Sequence, residues 1–203
     1  MATYKYVTVQ MKEAKYLADL RGIKSDLEAA INFCKCLLHI YREEKQDLKL
    51  VEPLSIAIII KYCRPFATGV REKLSIDCVP GLTVDELKEH NNFLALRNKH
   101  IAHSVNEFEE NEVKAYYNDE RVYIDGILKI ELGHRKLISI SGKEAETIIV
   151  LSKKIIDYIN LEIKAEKAKL LEIVRTQPID EILRGGITIF DPKKANVDKR
   201  RKQ

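Results

Sequence analysis

The chain of 203 residues has no tryptophan and no long apolar run. Its longest purely apolar stretch, Ile56 to Ile60, falls far short of the roughly 20 residues that a membrane-spanning helix needs. The amino-terminal residues from Met1 to Tyr6 lack the apolar core of a secretory signal peptide. We therefore expect a cytoplasmic protein without a membrane-spanning segment. The missing tryptophan also removes a side chain that commonly stacks on ligands.

The sequence also offers little to hold a metal or a cofactor. It has no glycine-rich phosphate loop, no Gly-x-Ser-x-Gly motif and no Cys-x-x-Cys pair. Its one Glu-x-x-His spacing spans a glycine in a predicted strand, and the histidines His39 and His90 are isolated. No metal site and no cofactor are expected. Irregular spacing indicates reduced thiols at the four cysteines, Cys34, Cys36, Cys63 and Cys78.

The formal net charge of +4 is concentrated at one end of the chain. Residues 193–203 hold six lysines and arginines against one aspartate, a net of +5, so the rest of the chain carries −1. A generally basic surface is therefore not expected, and RNA contacts would have to come from a local patch or from this tail. The tail is also typical of a disordered, solubilising end.

One segment, Leu96 to Ser104, sets an arginine, an asparagine and two histidines close together at a predicted helix end. Arg97 offers a fixed fork of donors for phosphate oxygens, and His100 and His103 can transfer protons near neutral pH. Apolar residues alternate with these side chains, so the helix end should be partly buried, and buried polar groups need partners. The partners could be a ligand, a second subunit or a structural hydrogen-bond network.

Arg97-Asn98, followed by four residues and then His103, resembles the signature of the HEPN superfamily. In that signature an arginine, typically followed by a polar residue, precedes a histidine by a short spacer. The resemblance covers this helix directly and, through helix order, about residues 1–176. Similar flanking residues occur in HEPN proteins related to abortive-infection phage resistance, namely Leu94, Leu96 and Ala102 to Ser104.

The resemblance implies a metal-independent endoribonuclease that acts in bacterial defence or as part of a toxin–antitoxin pair. In this chemistry the RNA 2′-hydroxyl attacks the adjacent phosphate and leaves a 2′,3′-cyclic phosphate and a 5′-hydroxyl. His103 then acts as base or acid, Arg97 stabilises the charge of the phosphorane, and Asn98 holds the arginine or the phosphate. His100 could be a second proton carrier or a helix-end packing residue, and Arg64 and Arg71 could add phosphate contacts or simply be solvated. These auxiliary candidates are His100, Arg64 and Arg71.

A homodimer is the partner that this mechanism requires. One subunit supplies one certain imidazole, whereas acid–base cleavage usefully employs two, and HEPN proteins of this kind generally dimerise with their motifs facing. Arg97 and His103 would lie about 120° apart on a regular helix, so local unwinding or the second subunit has to bring them together. The alternative is a non-catalytic HEPN dimer that binds nucleotide, RNA or a partner such as an antitoxin or regulatory protein.

The predicted fold class is mainly α: an antiparallel, HEPN-like helical bundle with a small antiparallel β-sheet inserted between the motif helix and the long last helix. One domain should span residues 1–176, with a carboxy-terminal segment over 177–203. Three capping boxes open the runs after Ser25, Thr83 and Ser141. The predicted helices are Val9 to Leu20, ended by Gly22, then Ser25 to Gln46, Leu54 to Arg64, Thr83 to Asn106, Ser141 to Thr176 and Ile179 to Arg184.

The insertion over about residues 112–140 shows strand-like alternation around an Asp125-Gly126 turn. Its tyrosines, which include Tyr116 and Tyr117, would suit base stacking, but cross-strand packing is the commoner explanation. The predicted strands are Val113 to Tyr117, Val122 to Asp125, Ile127 to Leu132 and Lys136 to Ile140.

Overall fold

The computed structural model describes residues 8–9, 11–43, 48–68, 72–98, 109–121, 126–136 and 139–184. These residues form a mainly helical fold with a small antiparallel sheet, as the sequence predicts, and the sheet has two strands among the described residues. No helix among them combines the length and the apolar character that crossing a bilayer would require. The elements are α1 (Lys12–Arg42), α2 (Val51–Cys63), α3 (Val84–Leu96), β1 (Glu109–Tyr117), β2 (Ile127–Lys136), α4 (Gly142–Thr176) and α5 (Ile179–Arg184).

The core is built on the two long helices, α1 and α4, which run antiparallel. Tyr41 near the end of α1 donates its hydroxyl proton to the Ile140 carbonyl just before α4, at 2.7 Å. Further along α4, Lys24 Nζ donates to Asn160 Oδ1 at 2.7 Å. The apolar stripe of α4 is fully buried at Ile148, Leu151, Ile155 and Ile159, against Leu20, Ile23, Leu27, Ala30, Cys34 and Leu37 of α1.

The helix α1 corrects the prediction of two separate helices at its position. It continues without a break through Gly22 and Ser25. Glu28, the expected capping partner of Ser25, instead lies 3.3 Å from Arg21 Nη1 and 3.8 Å from Lys24 Nζ. Interior glycine costs a helix about 1 kcal/mol, which burial of the surrounding apolar stripe outweighs.

The other two capping boxes are confirmed, and they fix the starts of α3 and α4. The Glu86 N–H donates to Thr83 Oγ1 at 3.2 Å, and the Thr83 N–H donates to the Glu86 carboxylate at 2.8 Å. Ser141 and Glu144 make the same reciprocal pair at 3.2 and 2.6 Å. Lys154 of α4 then reaches Glu86 at 2.7 Å, which ties the first turn of α3 to α4.

The helix α2 lies between α1 and α3. The segment from Leu54 to Arg64 is apolar nearly all round, which predicts a fully buried helix, but one side of α2 is exposed. Its buried side includes Ile58, Ile59 and Tyr62, but Ile60 is 41% exposed. The helix ends at Cys63 and passes into a short 3₁₀ turn over Arg64–Phe66. Pro65 lies in that turn, in agreement with the predicted stop of the helix.

The inserted sheet is a hairpin with a β-bulge near its turn. Val113 pairs with Leu132 and Ala115 with Ile130, and the register shifts between Tyr116 and Tyr117. The predicted strands Val113 to Tyr117 and Ile127 to Leu132 are confirmed, and each is part of a longer strand, β1 or β2. The predicted fourth strand is wrong in its described part, because β2 ends at Lys136 and residues 139–140 are not paired. The third predicted strand, over 122–125, lies outside the described residues.

We expect Ser55→Ala to lower the free energy of unfolding by about 1–3 kcal/mol. Ser55 Oγ donates to the Val51 carbonyl at 2.7 Å and accepts the Ile140 N–H at 3.3 Å, so alanine would leave that buried N–H unpaired. Ser152 is equally buried, but its hydroxyl has no hydrogen-bond partner in the described part of the chain. Ser152→Ala is therefore the matched control. Urea unfolding should show no loss for it, and equal losses in both variants would contradict the assignment.

Candidate functional site

Arg97 and Asn98 lie together at the carboxy-terminal end of α3. The Arg97 N–H bonds to the carbonyls of Leu94 and Phe93, and the two residues form a wide π-type turn, a feature that is frequent at functional sites. Arg97 Nη1 donates to Asn98 Oδ1 at 2.8 Å. The structure therefore brings together the arginine and the amide that the motif pairs. His100, His103 and Arg71 lie outside the described residues, as does the predicted extension of the helix to Asn106.

The end of α2 packs against α3 at Phe93, one helical turn before Arg97. The Cys63 thiol donates to the Phe93 carbonyl at 3.4 Å, and the Tyr62 ring meets the Phe93 ring edge-on with centroids 5.6 Å apart. Burial raises the pKa of the Cys63 thiol to about 12, and the Arg97 guanidinium partly opposes this rise. The guanidinium is thus close enough to lower the pKa of the thiol, which stays neutral near pH 7. A neutral thiol does not cancel the charge of Arg97.

His90 is enclosed in an aromatic cluster about two helical turns before Arg97. Its Nδ1 is hydrogen-bonded to the Tyr62 hydroxyl at 2.9 Å, and its ring lies edge-on to Phe66 with centroids 4.5 Å apart. Burial lowers the pKa of His90 to about 4, with a smaller opposing effect from Asp77. His90 is therefore neutral near pH 7 and has the role of a core residue.

Arg64 lies at the same end of α2, directly after Cys63. Its Nη1 is 3.7 Å from Asp26 Oδ1, which also accepts a hydrogen bond from Lys61 Nζ at 2.7 Å. Asp26 is buried in α1, whereas the Arg64 side chain is 56% exposed. Arg64 therefore keeps part of its guanidinium open to solvent while a carboxylate holds it, and it remains an auxiliary candidate.

At this site an anion would be attracted by the Arg97 side chain and not by the backbone at the end of α3. The carboxy-terminal end of a helix carries a partial negative charge, which attracts Arg97 but does not attract a phosphate. Arg97 has one bond to Asn98 and no carboxylate partner among the described residues, which leaves most of its five N–H donors available. In the same part of the chain, no group of three or more His, Cys, Asp or Glu side chains is placed to hold a metal ion.

Sequence reasoning missed the residues that join α2 to α3 just before Arg97, namely Tyr62, Cys63 and His90. A signal for one of them exists, because His90, Phe93 and Arg97 are spaced at i, i+3 and i+7 and so share one face of α3. The contribution of α2 has no such signal. Its contact with α3 joins residues that lie 28 to 30 positions apart in the sequence.

Comparisons of this chain with family models, with curated proteins and with solved structures found no match.

Proposed function

We propose that the chain is a metal-independent endoribonuclease of the HEPN type, with Arg97, Asn98 and His103 as its catalytic residues. The observation that carries the proposal is the Arg97–Asn98 hydrogen bond of 2.8 Å at the end of a bundle helix. A guanidinium held in this way has a defined direction, as recognition of a phosphate by a planar fork requires. The helical fold with its inserted hairpin supports the resemblance at the level of architecture.

The proposed reaction uses the nucleophile that RNA itself carries. His103 takes the proton from the 2′-hydroxyl, whose oxygen forms a bond to the adjacent phosphorus. The bond from phosphorus to the 5′-oxygen breaks, and an acid returns a proton to that oxygen. Arg97 donates to the non-bridging oxygens, where negative charge builds up in the phosphorane. The products are a 2′,3′-cyclic phosphate and a 5′-hydroxyl.

The environment of Arg97 suits this role. Asn98 engages one Nη1 hydrogen, the guanidinium lies close enough to Cys63 to oppose the rise in the pKa of that thiol, and Arg97 is half-buried. Part of its rotational freedom is therefore already lost before RNA binds, which favours stabilisation of the transition state. Arg64, on the same end of α2, would add a contact to a neighbouring phosphate.

The proposal extends to a cytoplasmic homodimer in which two copies of the Arg97–His103 segment face one cleft. The second copy supplies the second imidazole that paired acid and base catalysis employs. The biological setting we propose is bacterial defence or a toxin–antitoxin pair, in which an antitoxin or regulatory protein would restrain the nuclease.

One observation favours the alternative of a non-catalytic dimer that binds RNA or nucleotide. The histidine packed closest to the end of α2 among the described residues is His90, and its burial and its pKa of about 4 exclude it from proton transfer near neutral pH. The described part of the site thus contains the Arg97 cation but no histidine that can carry a proton near neutral pH. Catalysis would depend on His103, with His100 as an optional second proton carrier.

The test is RNA cleavage by the purified protein in EDTA, with analysis of the product ends. We expect cyclic phosphate and 5′-hydroxyl ends from the wild type, and losses of about 10²–10⁴-fold in rate for Arg97→Ala and His103→Ala. His39→Ala is the control, since that imidazole is 75% exposed and pairs with Glu43. Retained RNA binding without cleavage in the wild type would support the binding dimer instead.

A further inference from the structure

A buried carboxylate on α1 holds two cations at the carboxy-terminal end of α2. Asp26 is 4% exposed, and its Oδ1 accepts a hydrogen bond from Lys61 Nζ at 2.7 Å. Arg64 Nη1 lies 3.7 Å from the same oxygen. A buried carboxylate is costly unless it is paired, so Asp26 draws both cations to one place. We call these three side chains, Lys61, Asp26 and Arg64, the Asp26 triad.

The Asp26 triad keeps hydrogen-bond donors for an anion. Its two cations and one carboxylate leave it a net charge of +1. The 3.7 Å contact of Arg64 is longer than a hydrogen bond, so the guanidinium forms an ion pair without using its N–H donors. The Lys61 ammonium has three N–H groups and donates one of them to Asp26. Both cationic side chains are partly exposed, so an anion in solution can reach them.

The backbone that carries Arg64 is fixed to both neighbouring helices. Arg64 begins the short 3₁₀ turn that ends at Phe66, and the buried Phe66 ring packs against His90 of α3. On the other side, the buried carboxylate of Asp19 on α1 accepts the Glu72 N–H at 3.2 Å. A guanidinium on such a fixed backbone has less freedom to lose when it binds a ligand, which favours binding.

Cys63 connects the Asp26 triad with the Arg97 site. Arg64 follows Cys63 directly in the chain, so their Cα atoms are about 3.8 Å apart. The Cys63 thiol donates to the Phe93 carbonyl at 3.4 Å, and the Arg97 guanidinium is close enough to lower the pKa of that thiol. A nucleic-acid strand carries a phosphate at every nucleotide. A strand with one phosphate at Arg97 therefore brings further phosphates to the end of α2.

We infer that Lys61 and Arg64 form a second phosphate subsite, aligned by Asp26, and that the substrate is therefore an RNA strand and not a single nucleotide. This inference rests on the proposed function, since it takes Arg97 as the group that binds the scissile phosphate. The planar fork of Arg64 binds two oxygens of the neighbouring phosphate, and Lys61 adds a point charge. Asp26 is a positioning residue, because it acts through the two cations. A nucleoside monophosphate fills one subsite only and should bind more weakly than a strand.

The test measures how tightly the full chain binds a short single-stranded RNA with 2′-O-methyl groups, which block the nucleophile of the cleavage reaction. One phosphate at a time is replaced by a neutral methylphosphonate. The wild type should lose affinity about tenfold at each of two linkages, the one that Arg97 binds and the one that Arg64 binds. Arg64→Ala should lose the response at one linkage, and Arg97→Ala should lose it at the other. Arg21→Ala is the matched control, because Arg21 is also exposed and pairs with Glu28 at 3.3 Å, and it should respond like the wild type.

A further variant, Asp26→Asn, separates alignment from charge. It removes a negative charge beside Arg64, so a purely electrostatic effect would tighten the binding of RNA. If Asp26 aligns the cations, the variant should instead lose the response at the Arg64 linkage and bind the strand no more tightly than the wild type does. Tighter binding with both responses kept would refute the role of Asp26.

The subsite is overturned if the wild type responds at one linkage only or at none, or if Arg64→Ala keeps both responses. The methylphosphonate series on the wild type needs no variant, so a failure of a variant to fold does not affect it. The proposed function fails by a different result, namely no cleavage of the ribose strand in EDTA. The two failures are distinguishable, because binding of the 2′-O-methyl strand does not require the proton transfer assigned to His103.

Discussion

Arg97→Lys is expected to cleave RNA at least about 10²-fold more slowly than the wild type, although it keeps the positive charge. Lysine has a single ammonium on a flexible stem and cannot donate to Asn98 and to two phosphate oxygens in one plane. Arg97 uses Nη1 to bind Asn98 at 2.8 Å, which leaves its other N–H donors for phosphate oxygens. The loss should appear in kcat more than in KM, because the fork is engaged most strongly when the phosphorane forms.

Arg175→Lys provides the control for this substitution. Arg175 also lies in the last turn of a helix, and its Nη1 pairs with Glu172 at 3.0 Å on an exposed surface. An exposed ion pair contributes at most about 1 kcal/mol, so this variant should cleave RNA like the wild type. Near-normal cleavage by Arg97→Lys would show that charge alone suffices and that the bond to Asn98 plays no part in catalysis.

The sequence predicts helices well where a local signal coincides with packing. Thr83 and Ser141 open their helices through capping boxes that involve only neighbouring residues. The same signal at Ser25 is misleading, because the side chain of Glu28 pairs with Arg21 and Lys24 and the buried stripe of α1 continues across the site. Capping contributes about 1 kcal/mol, and tertiary burial decides when the two conflict.

The candidate site likewise has a local part that the sequence predicts and a long-range part that it does not. The pairing of Arg97 with Asn98 joins adjacent residues and could be predicted from sequence alone. The bond from Cys63 to the Phe93 carbonyl and the enclosure of His90 depend on how α2 crosses α3, and that packing joins distant residues. Hydrophobic periodicity indicates which face of each helix is buried, but it does not indicate which helix will cover that face.

The folded protein is expected to lose up to roughly 3 kcal/mol of stability between pH 6.5 and pH 4 because of His90. Burial beside Tyr62 lowers the pKa of His90 from 6.5 to about 4 in the folded state. Between these values the unfolded chain binds a proton that the folded chain excludes, so acid favours unfolding. Above pH 6.5 the imidazole is neutral in both states, and this contribution no longer changes with pH.

The measurement is urea unfolding at several pH values above 4.5, since the pKa of Glu86 is lowered by its bond to Lys154 and adds its own acid sensitivity below that range. The double variant His90→Leu/Tyr62→Phe removes both partners of the buried hydrogen bond, so that neither is left unpaired, and it should show a much flatter pH dependence. His39→Gln should keep the slope of the wild type, because that side chain is 75% exposed. An unchanged slope in the double variant would place the acid-sensitive group elsewhere and would contradict the assignment of His90 as a neutral core residue that joins α3 to α2.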